Sequence, residues 1–324
     1  MQRSILVATL FVVIHGWSFG VSAVHSQPYP NRHVQFIIPN VAGSTLDITA
    51  RVFTEELGKL LGTQVIPMNK PGAGTVAGSE ALARSKKDGY SIGYITNAAT
   101  VYARILNPET IHFDPDKDLE PLGLHVQLPL AIGVQANAPW KTFNELIDYA
   151  KKNPGKLRVN TIGIGTAAHF DLEIIQSLTG AQFTHIPYKG GESVTTAVLG
   201  GHIEMTCDVI SKFVPHIESG KLRCLLLSTK MTELPDVPTL TDLGYRQNLV
   251  STWFAVYGPS GLPEEVKKVM LPAVEKAVRS ADAKVKIEKM HFVVDYKSPA
   301  DLGKMVTEEY EMAVGIAKKV GLTK

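Results

Sequence analysis

Short apolar runs alternate with longer amphipathic stretches along this chain. Phe36-Ile37-Ile38 is an apolar run that ends at Pro39, and it predicts a short buried strand. Beyond a turn of small and polar residues, apolar side chains recur at helical spacing from Leu46 to Leu60, which predicts an amphipathic helix. Comparable pairs of strand and helix follow along the chain. This alternation favours an α/β fold built on doubly wound, parallel-rich sheets.

Two of the turns between a predicted strand and a predicted helix are made of small residues. The first spans 40–44, and Ser44 stands three residues before Asp47, the spacing of a capping box. The second spans 161–167, and Thr166 is the predicted N-cap of the helix that follows. The first backbone N–H groups of a helix have no partner inside it, so each turn is a candidate anion site. An ordinary structural turn is the alternative, but the recurrence of the pattern favours a site.

Polar residues near these turns extend the candidate site. Thr96 and Asn97 end a predicted strand, at the sheet edge where ligands of α/β proteins collect. His169 is a candidate for contact with the far end of a ligand, with a half-buried helix residue as the alternative. Asp208 also ends a predicted strand, and it could accept from a ligand donor, reject a second anionic group, or brace a loop. Asp47 is expected to hold the first turn rather than to contact the ligand.

Composition excludes several classes of function. The net charge is +2, from 33 basic and 31 acidic residues that are finely interspersed. Without a basic stripe, nucleic-acid binding is not expected. Cys207 and Cys224 lie in apolar, strand-like runs, so two buried thiols are expected, although the sequence leaves a disulfide open. The ten histidines show no metal-ligand spacing, and no metal or cofactor is predicted.

The N-terminal segment has the pattern of a signal peptide. Arg3 precedes an apolar stretch, Ile5 to Ile14, which is too short to span a bilayer. Small residues then offer a cleavage site at Ala23 or at Ser26. We therefore expect residues 1–26 to be removed and the mature protein to be exported and soluble.

Six short motifs carry a resemblance to a known family. They lie at 39–44 with Asp47 and Arg51, at 69–74, at 88–90, at 163–169, at 187–191 and at 234–240. Each motif is weak alone, whereas their order and spacing together are specific. From about Tyr29 to its end, the chain resembles the extracytoplasmic solute receptors of tripartite tricarboxylate transporters, the Bug family.

This resemblance implies a two-lobed periplasmic binding protein of the Venus-flytrap type. One lobe would comprise 29–127 plus 251–324 and the other 128–250, with hinges near Gln127 and Val250. It also implies a monomeric periplasmic receptor, not an enzyme, that binds a small organic carboxylate and delivers it to a membrane permease. In the family the carboxylate is held by backbone N–H groups and water at both turns, which assigns ligand-binding roles to Asn40, Ala42, Gly43, Ser44, Thr45, Gly163, Gly165, Thr166 and Ala167.

Two positions depart from the family pattern. Asn40 stands where the family often has an aromatic residue, and Ser44 stands where a second glycine is common. Asn40 makes this wall of the site more polar, while Ser44 adds a hydroxyl and restricts the backbone. These departures leave the identity of the carboxylate open.

Other functions fit the sequence less well than a receptor. The glycines at 163–168 and 72–77 have the form of a dinucleotide fingerprint, but no acidic residue follows about 20 positions later, which argues against a dehydrogenase. A hydrolase is disfavoured because G-x-S-x-G, H-E-x-x-H and Walker motifs are absent. A receptor that presents its ligand to a membrane sensor remains the alternative to transport.

Overall fold

Two mixed β-sheets with flanking helices form the structure, which confirms the predicted α/β class. The computed structural model describes residues 28–188, 192–319 and 321–322. The predicted signal peptide at 1–26 therefore lies outside the described residues. Both sheets contain antiparallel as well as parallel pairs, so they are mixed rather than parallel-rich.

The first sheet has six strands in the order β11-β4-β10-β3-β1-β2. β1 pairs in parallel with β2 and β3, whereas β10 is antiparallel to both of its neighbours. The strands are β1 (Val34–Ile38), β2 (Val65–Asn69), β3 (Ser91–Thr96), β4 (Leu119–Leu128), β10 (Thr252–Pro259) and β11 (Val293–Val294).

The second sheet has five strands in the order β7-β6-β8-β5-β9, with parallel pairs on one side of β8 and antiparallel pairs on the other. The chain enters this sheet across Pro129, which separates β4 from β5, and returns to the first sheet at β10. The strands are β5 (Leu130–Gln135), β6 (Leu157–Thr161), β7 (Phe183–Pro187), β8 (Met205–Val209) and β9 (Leu222–Leu227).

The α-helices cover the sheets, and the longest of them, α11, packs against both β4 and α6. Short helical segments at 73–75, 98–102, 108–110 and 210–212 join the regular elements. The α-helices are α1 (Thr45–Leu61), α2 (Val76–Ala83), α3 (Ala103–Leu106), α4 (Pro115–Asp118), α5 (Phe143–Lys152), α6 (Ala167–Thr179), α7 (Glu192–Leu199), α8 (Val214–Glu218), α9 (Glu264–Val278), α10 (Ala281–Glu288) and α11 (Pro299–Lys319).

An aromatic cluster in the core holds α1 against the first sheet. Phe36 of β1 and Tyr94 of β3 pack edge to face, with ring centroids 5.0 Å apart, and Phe53 of α1 lies 5.6 Å from Phe36. All three side chains are fully buried. Burial of these three rings contributes on the order of several kcal/mol to stability. The cluster therefore holds α1 close to β1 and β3.

The two cysteines are free thiols on different strands. Cys207 of β8 pairs with Ile132, and Cys224 of β9 pairs with Gly133, so β5 lies between them. Strands two places apart are separated by about 10 Å, which is beyond the reach of a disulfide. Among the described helices, none combines the length and apolar composition that a membrane span requires.

Candidate functional site

A cavity of about 650 Å³ lies between the two sheets, at the ends of β1, β3 and β6. Its walls come from the turns after β1 and β6, from the segments after β2 and β3, and from the start of β10. None of the described residues that line it carries a formal charge. Eight of the predicted site residues line this cavity, namely Asn40, Ser44, Thr45, Thr96, Asn97, Gly165, Thr166 and Ala167.

The turn after β1, which we call loop 1 (40–45), is closed by hydrogen bonds within itself. Ser44 is the N-cap of α1: its hydroxyl donates to the Val41 carbonyl at 2.7 Å and accepts from the Asp47 N–H at 3.3 Å. Gly43 has φ +78°, a left-handed conformation that glycine adopts without steric cost, and its N–H donates to Asp47 Oδ2 at 2.8 Å. Loop 1 is thus folded back on the first turn of α1.

The Asp47 side chain supports loop 1 through hydrogen bonds, as predicted. Its side chain is 3% exposed and also accepts from Arg51 Nε at 3.0 Å and from Asn69 Nδ2 at 2.9 Å. Burial would raise the pKa of Asp47, but the hydrogen bonds from Arg51, Gly43 and Asn69 outweigh it and hold the pKa below its ordinary value. The carboxylate is therefore committed to the loop and not available to a ligand.

The turn after β6, loop 2 (162–167), repeats the same hydrogen-bond pattern. The Thr166 hydroxyl donates to the Gly163 carbonyl at 2.8 Å and accepts from the His169 N–H at 3.4 Å. Gly165 has φ +76°, and its N–H donates to His169 Nδ1 at 3.1 Å. Loop 2 therefore matches loop 1 in conformation, with an imidazole where loop 1 has a carboxylate.

His169 is a neutral support of loop 2 rather than a cationic ligand contact. Burial, followed by repulsion from His185, lowers its pKa to about 4. Because Nδ1 accepts from Gly165, the ring proton is on Nε2, which lies 4.0 Å from Glu173 Oε1. The ring stacks on His185 with centroids 4.5 Å apart. His169 is 7% exposed and does not line the cavity.

The capping pattern determines which donors a ligand could use. The hydroxyls of Ser44 and Thr166 already donate to carbonyls, and the N–H groups of both loop glycines at 43 and 165 already have acceptors. The N–H groups of Thr45, Leu46 and Ala167, at the starts of α1 and α6, have no acceptor among the described residues, and all three residues line the cavity. The two helix starts therefore present free donors to one shared space.

Five predicted site residues lie outside the lining of the cavity: Ala42, Gly43, Gly163, His169 and Asp208. Asp208 is 1% exposed and accepts from Lys212 Nζ at 2.6 Å and from the Val209 N–H at 2.7 Å. Burial raises the pKa of Asp208 in spite of these bonds. The structure therefore places Asp208 as a brace at the end of β8, the alternative that its position also allowed.

Part of the cavity wall was not predicted from the sequence. The segment 73–75 lines it, and within this segment Ala73 and Thr75 have φ +45° and +82°. A β-branched residue with positive φ is a steric outlier that structures retain at functional sites. Thr75 Oγ1 lies 3.0 Å from Thr96 Oγ1, so the segment is tied to the end of β3. The flanking glycines in Gly72-Ala73-Gly74 were the available clue.

Another part of the wall is apolar. Leu106 projects from the first-sheet side, and Ile162 and Ile164 project from loop 2. Ile164 is 63% exposed, the highest value among the exposed large hydrophobic side chains of the described residues. An apolar ligand tail or closure of the cavity would remove this surface from water.

Similarity to known proteins agrees with this geometry. The sequence profile of the tripartite tricarboxylate transporter family receptor matches residues 49–322. A UPF0065 protein in the gbd 5' region of Cupriavidus necator is 32% identical over 333 residues, covering 100% of this chain and 99% of the relative.

Solved structures show the same fold. A TctC solute binding protein from Polaromonas superposes with a TM-score of 0.82 at 26% identity, covering 90% of this chain and 99% of that protein. MatC from Rhodopseudomonas palustris with bound malate superposes with a TM-score of 0.67 at 25% identity, covering 89% of this chain and 99% of that protein. The chain is therefore similar over most of its length to solute-binding proteins.

Proposed function

The chain belongs to the tripartite tricarboxylate transporter receptor family, and we propose that it captures a small organic carboxylate and delivers it to a membrane permease of that transporter type. It is a solute-binding receptor and not an enzyme. The bound malate of the related MatC supports a carboxylate as the class of ligand. We further propose that the receptor acts as a monomer in the periplasm, after export by residues 1–26.

The observation that carries the proposal is the pairing of two helix N-termini across one cavity. Loops 1 and 2 come from different sheets, have matching conformations, and leave the N–H groups of Thr45, Leu46 and Ala167 without acceptors among the described residues. A carboxylate has two oxygens, each able to accept more than one hydrogen bond. It could therefore be bound from both sides without a cationic side chain.

The energies are adequate for a transport receptor. A hydrogen bond to a charged group contributes about 1.5–3 kcal/mol, and a helix N-terminus about 0.3–1 kcal/mol. Micromolar affinity corresponds to about 8 kcal/mol. Three such bonds and two helix N-termini supply roughly 5–11 kcal/mol before the entropic cost of association, and apolar contacts to Leu106, Ile162 and Ile164 add to this. Neutral donors also permit release, which delivery to a permease requires.

We propose that the two sheets belong to lobes that close on the ligand, with the boundaries 29–127 plus 251–324 and 128–250. The hydrogen bonds between crossing segments support hinges near Gln127 and Val250. Ser251 Oγ lies 2.7 Å from Ser228 Oγ and 2.9 Å from Thr229 Oγ1, and Thr229 donates to Gln127 Oε1 at 3.3 Å. These side-chain bonds link the two crossings to each other.

A binding screen with proline variants tests the function. Thr45 and Ala167 are the first residues of α1 and α6, where proline fits a helix but removes the backbone N–H. The residues before them have ψ 159° and 162°, as a following proline requires. We expect at least one small mono- or dicarboxylate to bind with a stoichiometry of one by calorimetry. Thr45→Pro and Ala167→Pro should each weaken it about tenfold or more.

Ala281→Pro is the matched control, since Ala281 is the first residue of α10 and does not line the cavity. This variant should bind the same acid with wild-type affinity, and all three variants should keep the wild-type circular dichroism spectrum. The proposal is wrong if no carboxylate binds, or if both variants at the cavity bind as tightly as the control.

A further inference from the structure

Asn97 is a cavity residue whose own hydrogen bonds leave a single polar atom for a ligand. It follows β3, lines the cavity and is 1% exposed. Its Nδ2 donates to the Ser251 carbonyl at 2.9 Å and to Glu309 Oε1 at 2.9 Å. A side-chain amide nitrogen carries two hydrogens, and both are used. The remaining polar atom of the side chain is the carbonyl Oδ1, which can only accept.

The orientation of this amide is set by its neighbours. Reversing it would place Oδ1 against two acceptors, the carbonyl of Ser251 and the carboxyl of Glu309. A peptide carbonyl cannot donate at any pH, so Ser251 fixes the orientation whatever the charge on Glu309. Glu309 is held in turn, since Oε1 accepts from Tyr102 at 2.8 Å and Oε2 from Trp253 Nε1 at 2.7 Å.

We propose that Asn97 Oδ1 determines ligand specificity by accepting a hydrogen bond from a hydroxyl group on the bound carboxylate. This inference rests on the proposed function and narrows its ligand class to hydroxy acids. A second carboxylate at the same position would oppose Oδ1 acceptor to acceptor, and no described residue of the cavity wall carries a positive charge to offset that. An acid without the hydroxyl would bury the Asn97 carbonyl unpaired.

Calorimetry with matched acids tests the inference on the wild-type protein. The pairs are lactate and propionate, 3-hydroxybutyrate and butyrate, malate and succinate, and mandelate and phenylacetate. Within each pair that binds, the two acids differ by one hydroxyl. We expect the hydroxy acid of at least one pair to bind about tenfold or more tightly than its partner.

Asn97→Leu should abolish this preference, because leucine has a similar volume and no polar atom. Asn160→Leu is the control, since Asn160 is also fully buried and donates to the Val194 carbonyl at 2.9 Å, but lies outside the cavity lining. The control should keep the wild-type ratio of affinities even if it is less stable. If Asn97→Leu does not fold, Asn97→Ala, which also removes Oδ1, takes its place.

The outcomes separate the two proposals. A hydroxyl preference in the wild type that Asn97→Leu removes and Asn160→Leu keeps supports the inference. Acids that bind without any hydroxyl preference, or a preference that survives in Asn97→Leu, overturn it while the receptor function stands. Failure of every acid to bind overturns the proposed function and this inference with it.

Discussion

Loops 1 and 2 face the same cavity with one backbone design. In each, a glycine with φ near +77° precedes a hydroxyl N-cap, φ being +78° at Gly43 and +76° at Gly165. The Ser44 and Thr166 hydroxyls bond back to a carbonyl three residues earlier and accept from an N–H three residues later. Conformation is therefore dictated by the same local chemistry in two parts of the chain that share little sequence.

The loops differ in the side chain that accepts from the glycine N–H. In loop 1 it is the carboxylate of Asp47, which Arg51 neutralises, and in loop 2 it is the neutral imidazole of His169. Both acceptors leave the cavity without a formal charge, but their responses to mutation and pH should differ. The comparison shows that a backbone cradle can be preserved while the group that stabilises it changes.

The largest expected effect is loss of the charged acceptor. Asp47→Ala would leave the Gly43 N–H, the Asn69 amide and the Arg51 guanidinium without their shared acceptor. Asp47 is buried, whereas Arg51 and Gly43 are exposed and can turn to water, so its loss costs up to about 3 kcal/mol of the free energy of unfolding. Urea denaturation at pH 7 measures this loss.

Glu55→Ala on the same helix is the control, because the ion pairs of Glu55 within the described residues are with exposed lysines, at 59 and 286. It should unfold at the wild-type urea concentration, since exposed ion pairs contribute little. Equal stability of the Asp47 and Glu55 variants would contradict the role that we assign to Asp47.

The next largest expected effect is a loss of stability at acid pH that arises from His169, which supports loop 2. Because the pKa of His169 falls from 6.5 to about 4 on folding, the native state disfavours its protonation. The contribution of His169 to the free energy of unfolding is therefore fully present above pH 6.5 and is lost as the pH falls towards 4. For one such histidine, this amounts to about 2 kcal/mol of unfolding free energy between pH 7 and pH 5. Asp47, whose pKa is lowered, should remain ionised over this range.

His169→Asn isolates this contribution, because the asparagine carbonyl oxygen is as many bonds from Cα as Nδ1 and does not titrate. The neighbouring groups, His185 and Glu173, are present in both proteins and largely cancel in the difference. The variant should lose less stability than the wild type between pH 7 and pH 5. Parallel pH profiles would show that the imidazole is not the acceptor that holds loop 2.

Local sequence patterns were sufficient for the parts of this structure that are determined locally. The spacing of Ser44 and Asp47 predicted both a cap and a loop support, and the hydrogen bonds show both. The Thr166 cap was also predicted correctly. The ion pair of Asp208 with Lys212, by contrast, was not among the expectations, and it accounts for Asp208 without a ligand.

Features that depend on distant segments could not be predicted in this way. Leu106 and Ile164 share one wall only because the two sheets face each other across the cavity. No periodicity within either segment encodes that approach. Likewise, the sequence showed that His169 was polar, but not that the N–H of Gly165 would occupy its ring nitrogen.

The smallest expected effect is the difference between alanine substitutions at Gly43 and at Gly165. Alanine at either position adopts a left-handed conformation that costs about 1 kcal/mol of stability. A Cβ on Gly43 would meet no atom within 4 Å, whereas a Cβ on Gly165 would collide with Leu106 Cδ1 across the cavity. Gly165→Ala should therefore lose more stability in urea than Gly43→Ala, and it should also bind the carboxylate about tenfold more weakly because the collision holds loop 2 away from Leu106.

A second substitution shows whether the collision is the cause. Leu106→Ala removes the atom that a Cβ on Gly165 would meet, so it should recover affinity in the Gly165→Ala background more than it changes affinity in the wild type. Leu106→Ala should show no such coupling with Gly43→Ala. Two double-mutant cycles, with affinities measured by calorimetry, give the coupling energy for each pair of substitutions. Equal coupling in the two backgrounds would mean that the contact between loop 2 and Leu106 is not what weakens binding in Gly165→Ala.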